Sequence, residues 1–214
     1  MFVAYRSHAT SSDFDACTSL YREALKLRRG RHPDRPATLL HLSQALLYHY
    51  GVVGDGTSEG ELQKHINELM GICPERTHER RAAILMLQTH ERLQLRDSDD
   101  LAQLDKLIST LDAAAQELPE TYFDRPIRFN NLSLALLRRF QLRRDACDLS
   151  RAIDWLNKAV HITPDGHLDK PSYLSNLSNA LLARFQRQHG VISKGEAEDP
   201  STLHNSPPRV DLAT

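Results

Sequence analysis

The sequence predicts an all-α protein, a solenoid of about four stacked helix pairs, or about eight antiparallel helices. Two observations support this fold class. A motif recurs every 45 residues, and within each copy the apolar residues follow helical spacing. A two-helix unit of this size cannot bury its apolar face alone, so neighbouring units stack and bury it together.

The repeat is visible without gaps. The segments FDRPIRFNNLSLALLRRF and LDKPSYLSNLSNALLARF lie 45 positions apart, around Asp124 and Asp169. A further copy, PDRPATLLHLSQALLYHY, surrounds Asp34. A weaker copy opens at Glu79, midway between Asp34 and Asp124. We number these copies one to four in chain order, and together they predict one continuous repeat array.

Each copy contains two helical patterns. The first carries apolar residues at spacings of three and four, which places them on one stripe of a helix. In copy one these residues are Leu39, Leu42, Leu46 and Tyr50, and in copy four they are Leu174, Leu177, Leu181 and Phe185. The acidic residue that opens each copy predicts an N-cap whose carboxylate accepts a backbone N–H, followed by proline in three first turns. The second pattern ends at Pro74, Pro119 and Pro164.

The repeat also sets the predicted domain bounds. It covers residues 13–190 and opens with a second-type helix that lacks its first-type partner. Residues 1–12 and 191–214 show no periodicity, and the latter segment is polar, so both are predicted to be disordered.

Composition favours an ordinary soluble protein. The chain has 27 Lys and Arg against 28 Asp and Glu, whereas nucleic-acid-binding domains carry a basic face. Cys17, Cys73 and Cys147 lack CxxC spacing and are expected to be reduced thiols. The N-terminal residues do not form a secretory signal, and no apolar run approaches the ~20 residues of a membrane helix. We therefore expect a cytoplasmic protein that binds neither nucleic acid nor membrane.

The second helix of copy three resembles that of a tetratricopeptide repeat, whose hallmark is A-I-x-x-Ω-x-x-A-φ-x-φ-x-P. The segment RAIDWLNKAVHITP matches it at Ala152, Ile153, Leu156, Ala159 and Pro164. The preceding FNNLSLALL resembles the first helix of that family, with Leu132 at its leucine position and Ser133 at its small-residue position. The period of 45 exceeds the usual length of about 34, so helices and turns must be longer. The segments HPDRPATLLHLSQALL and DKPSYLSNLSNALLARF are similar to long repeats of fungal, mainly basidiomycete, proteins.

This resemblance implies a right-handed solenoid that acts as a non-catalytic scaffold or sensor arm. Such an arm binds a peptide or protein on the concave face that its first helices line. The fungal repeats are often joined to a CHAT peptidase or a nucleotide-binding domain. The alternative is therefore a regulatory arm, or a fragment, of a larger CHAT-peptidase or NTPase protein. The unpaired first helix is a candidate surface for self-association.

No motif predicts catalysis, a metal or a cofactor. The eleven histidines include no HExxH and no zinc-type Cys–His spacing. The glycine-containing segment 51–60 lacks the Lys-Ser/Thr of a phosphate-binding loop and is predicted to be a flexible connection. We therefore expect no enzyme activity from this chain.

Asparagines are the candidate binding residues. Asn131 and Asn176 are equivalent in copies three and four, with Asn130 and Asn179 beside them near the predicted concave face. An amide both donates and accepts hydrogen bonds, so a ladder of asparagines can hold the backbone of a bound peptide. The alternative is that they form hydrogen bonds between helices.

Copy two departs from the others. It has His90, Glu91 and Arg92 where the other copies have Ala-Leu-Leu. Because buried polar groups without partners cost about 1–3 kcal/mol each, either the helix turns these groups outward or they mark a specialised part of the groove. Decay of one repeat is the simpler explanation.

Overall fold

The computed structural model describes residues 11–54, 56–116 and 123–197. These residues form eight α-helices and a 3-10 turn at Gly56–Ser58, with no strand among them, which confirms the predicted all-α class. In chain order the helices are α1 Ser11–Leu27, α2 Arg35–Val53, α3 Glu59–Ile72, α4 His78–Gln94, α5 Leu101–Gln116, α6 Arg125–Arg143, α7 Ala146–Ile162 and α8 Lys170–Ala197.

The helical part is longer than the predicted array of 13–190. Helix α1 starts at Ser11, and α8 continues to Ala197 because Lys194, Glu196 and Ala197 are good helix formers. The rest of the two segments predicted to be disordered lies outside the described residues.

The N-cap prediction needs a correction. Asp34 and Asp124 occupy N-cap positions, but neither carboxylate accepts a cap hydrogen bond. Asp124 instead accepts hydrogen bonds from the Arg128 side chain, one turn further on, at 2.9 and 3.1 Å. Helix α4 is capped by Thr77, whose hydroxyl accepts from the Arg80 backbone N–H, so Glu79 lies inside the first turn. The first-turn positions of Pro36 and Pro126 are confirmed.

Packing follows the order of the chain. Each helix packs on the next, and in addition α2 contacts α4, α4 contacts α6 and α6 contacts α8. These even-numbered helices are the first helices of the four copies, which we call first-type helices. They therefore form one contiguous row, and the odd-numbered, second-type helices alternate with them along the chain.

The apolar core is divided between α4 and α5. One cluster draws on α1 to α4, and two others draw on α5 to α8. Consecutive helices pack least extensively at α4–α5. The α4 side chains Ile84, Leu87 and Glu91 are only half-buried there. By contrast, Leu42 and Leu132, which are equivalent to Leu87 in copies one and three, are completely buried.

Copy four does not bury its whole stripe. Leu174, Leu181 and Phe185 of α8 are exposed, and Leu177 is half-buried. The equivalent residues of α2 and α6 are covered by the second helix of the same copy, and no described helix follows α8.

Candidate functional site

A groove of about 690 Å³ runs along the row of first-type helices. Its walls are formed by α2 and α4, and residues next to the starts of α6 and α8 complete its rim. Most of its lining is apolar; the apolar and aromatic side chains include Leu47, Tyr48, Val52, Leu85, Leu93, Phe123, Ile127 and Leu168. In the following, "the groove" refers to this surface.

Helical periodicity explains which α4 residues line the groove. Ala82, Leu85, Thr89 and Arg92 are spaced by three and four and so share one face of the helix. At the rim, Phe123 and Leu168 lie 45 positions apart, each directly before the acidic residue of its copy. They are 73% and 49% exposed, so their side chains are available to a ligand.

Arg92 places a cation in this apolar surface. The equivalent residues in copies one and three are Leu47 and Leu137. The Arg92 Nε–H donates to Asn131 Oδ1 at 3.1 Å, and this partner is neutral. Burial and, to a smaller extent, the like charge of Arg96 lower the pKa of Arg92 to about 10. The guanidinium therefore stays protonated at neutral pH; it is half-buried and has no carboxylate among its contacts in the described residues.

The other charges at the groove are already engaged. Asp124 forms an ion pair of 2.9 Å with Arg128, and both side chains are buried. Arg128 Nη1 also donates to Gln88 Oε1 at 3.1 Å. Arg81 donates to the backbone carbonyl of Arg76 at 3.0 Å. An incoming negative group could therefore pair with Arg92, whose side-chain partner Asn131 is neutral.

The four predicted asparagines are not among the groove-lining residues. Asn131 Nδ2 donates to Thr89 Oγ1 of α4 at 2.8 Å, in addition to accepting from Arg92. Asn176 Nδ2 donates to Asn130 Oδ1 at 2.8 Å, which links α8 to α6. Three of the four thus make the inter-helix hydrogen bonds of the alternative hypothesis, and Asn179 is exposed. Peptide contact by these asparagines stays a prediction.

The polar residues of copy two are held inside the structure. His90 is 2% exposed and packs edge-on against the Tyr50 ring at 5.0 Å. Its Nε2 lies 3.7 Å from Glu59 Oε1, and burial lowers the pKa of His90 despite that carboxylate. Glu91 and Arg92 are half-buried. The helix therefore does not turn this trio out to solvent.

Sequence reasoning identified the unusual trio but missed the rest of the site. Thr89 and Gln88 also replace the residues of the other copies, and both bind side chains of α6. Phe123 and Leu168 were detectable as an apolar pair with the repeat spacing. Their role depends on which sides of α2, α4, α6 and α8 meet, and the linear pattern does not encode this.

Other kinds of site were also sought. The described residues contain no group of three or more His, Cys, Asp and Glu side chains that could hold a metal ion. All three cysteines are free thiols. None of the described helices combines the length and apolar character that crossing a membrane requires.

Comparison of the chain with models of protein families, with curated proteins and with solved structures gave no match.

Proposed function

We propose that this chain is a non-catalytic protein-interaction arm whose helix pairs stack as a right-handed, tetratricopeptide-like solenoid. The contiguous row of first-type helices supports this arrangement, because a solenoid brings the same helix of each unit to one face. The groove on that row is the proposed binding surface for a segment of another protein.

The proposed occupant is a peptide that carries apolar side chains and a carboxylate. The observation that carries this proposal is Arg92, a half-buried guanidinium in a mostly apolar groove, with an amide oxygen as its side-chain partner. A guanidinium and a carboxylate form the strongest common hydrogen bonds in proteins, often in pairs. The apolar side chains of the peptide would meanwhile cover Leu85, Phe123 and Leu168.

A peptide library tests this proposal. Random peptides displayed on phage are selected on the purified full-length chain, and the affinities of the enriched peptides are measured by fluorescence polarisation. We expect enrichment of peptides that combine apolar residues with an acidic group. Arg92→Leu should weaken their binding about 10- to 100-fold, since hydrogen bonds to charged groups contribute about 1.5–3 kcal/mol.

Arg92→Leu is a mild substitution, because leucine is the natural residue at this position in copies one and three. Arg187→Leu serves as the matched control, since Arg187 is exposed on α8 and is not among the groove-lining residues. Amidation of the peptide C-terminus and, separately, replacement of Asp or Glu by Asn or Gln show which carboxylate is bound. Enriched peptides without any carboxylate, or equal affinity of the parent and Arg92→Leu, would contradict the proposal.

The class of partner follows from the same charges. We propose a protein or peptide and no nucleic acid, because the formal net charge is -1 and the acidic residues Asp124 and Asp169 line the groove together with its arginines. No cofactor or metal is part of this proposal. A cytoplasmic location stays a prediction from the cysteine pattern.

A further inference from the structure

Two apolar surfaces are exposed at opposite ends of the described helix stack. On α8, Leu174, Leu181 and Phe185 are 45%, 38% and 56% exposed; we call this surface the α8 face. On α1, Leu20 and Leu27 are 71% and 85% exposed, and we call this surface the α1 face. Each belongs to a terminal helix of the described residues.

The repeat shows what normally covers the α8 face. Positions 45 residues earlier, Phe129, Leu136 and Phe140, form the same stripe on α6. They are at most 5% exposed. The helix that follows them, α7, packs on α6 more extensively than any other helix pair in the described residues. The α8 face is therefore half of an interface that the molecule already makes elsewhere.

The α1 face corresponds to the other half of that interface at Leu20, which is equivalent to Trp155 at the α6–α7 contact. Leu27 is equivalent to Ile162, which is itself 37% exposed on α7. Helix α1 is equivalent to α7, with an offset of 135 positions. In α7, Ala152 and Ala159 are completely buried in the cluster that includes the α6 residues. Their equivalents in α1, Cys17 and Ala24, are only half-buried. The side of α1 that would meet a first-type helix is thus uncovered.

We infer that a second copy of this chain docks head to tail, with its α1 on the α8 face of the first copy. Its α1 would take the position on α8 that α7 takes on α6. The Phe129 and Trp155 rings lie 4.9 Å apart at the α6–α7 contact, and their equivalents are Leu174 and Leu20. Two exposed leucines therefore replace a buried aromatic pair across the new contact.

The charges of the two faces match in the same way. At the α6–α7 contact, Arg139 and Asp148 form an ion pair of 2.6 Å, with Asp148 buried. Arg184 on α8 is equivalent to Arg139, and Asp13 on α1 is equivalent to Asp148. The repeat relates four pairs of helices, namely α2–α3, α4–α5, α6–α7 and the proposed α8–α1 pair. Of these, α6–α7 and α8–α1 share this Arg–Asp combination. Docking of the second copy would thus bring Arg184 close to Asp13, which also interacts within its own chain, and would reproduce the apolar contact.

Such a contact joins two different surfaces, so each copy that binds still presents one free face. Contacts of this type build open chains unless the rotation between copies closes a ring. Assembly should therefore increase with concentration and should not stop at a dimer, unless one face is blocked.

Sedimentation velocity on the full-length chain tests the inference. We expect the average mass of the parent protein to increase with concentration. The variants Leu181→Asp/Phe185→Asp and Leu20→Asp should each remain monomeric, because each has lost one face. An equimolar mixture of the two variants should form a complex of two chains and nothing larger, since only one competent pair of faces remains.

Val53→Asp is the matched control, since Val53 is 57% exposed on α2, away from both faces, and should assemble like the parent. Circular dichroism checks that each variant keeps the parent's helix content, as expected for exposed positions. A second test exchanges the charges: Arg184→Asp should weaken assembly, and Arg184→Asp with Asp13→Arg in one chain should restore it. A parent that stays monomeric at every concentration would overturn the inference, as would an α8 variant that still forms dimers by itself.

Discussion

His90 packs on Tyr50 of α2 and belongs to α4, the helix that departs most from the repeat. Its neighbours Gln88 and Thr89 bind Arg128 and Asn131 of α6, respectively. In copies one and three the equivalents of Gln88 and His90 are serine and alanine. The substitutions of copy two therefore occur together with partners on α6, and this polar contact argues against simple decay of the repeat.

The buried histidine predicts a dependence of stability on pH. Burial lowers the pKa of His90 below its ordinary 6.5, and it does the same for His65. The unfolded chain therefore takes up protons first as the pH falls, and the free energy of unfolding should decrease below about pH 6.5. His90→Gln cannot be protonated in this range. Thermal unfolding at about pH 7.5 and pH 5.5 should show a smaller loss of stability for His90→Gln than for the parent.

His161→Gln is the control for this measurement, because His161 is exposed on α7 and burial is the cause invoked for His90. It should show the same loss of stability on acidification as the parent. A His90→Gln variant with that same loss would mean that the buried imidazole does not contribute to the pH dependence.

At the scale of the helix, two equivalent C-caps use different residues for the same backbone conformation. Gly54 ends α2 with φ 74°, and Arg144 ends α6 with φ 58°. Each donates its backbone N–H to the last turn of its helix, to Tyr50 and Phe140, respectively. Glycine adopts this left-handed conformation without steric cost, whereas a side chain is disfavoured there.

Substitutions at these two caps should change the free energy of unfolding in opposite directions. Arg144→Gly should raise the free energy of unfolding by about 0.5–1 kcal/mol, and Gly54→Ala should lower it by about 1 kcal/mol. A Cβ atom at Gly54 would lie 3.8 Å from the nearest neighbour, so the cost is conformational and does not come from a clash. Urea unfolding measures both values. Gly71→Ala inside α3, where nothing lies within 4 Å of an added Cβ, is a control that should stabilise the helix.

At the scale of the whole molecule, the divided core predicts that the two halves respond separately to damage. Leu42 belongs to the cluster of α1 to α4 and Leu132 to that of α5 to α8, and both are completely buried. Truncation of either to alanine should cost about 2–5 kcal/mol. Hydrogen exchange should show the loss of protection mainly in the half that carries the substitution, because α4 and α5 share little apolar contact.

Leu177→Ala provides the comparison for these variants, since Leu177 is half-buried on α8 and should cost less than Leu132→Ala. Equal loss of protection in both halves after Leu132→Ala would show that the polar contacts between α4 and α6 couple the halves as strongly as a continuous core.

For the described residues, the sequence alone determined the all-α class, the number of helices and most helix bounds. Apolar spacing and first-turn prolines act within one helix, and a 45-residue repeat makes each copy evidence for the others. Only the tertiary structure decided the features that depend on contacts between copies. These are the groove, the inter-helix hydrogen bonds of Asn130 and Asn131, and the contact of the Arg92 charge with a neutral partner. The physical reason is that burial and pairing depend on which helix covers a given face. The equivalent apolar stripe is buried on α6 and largely exposed on α8.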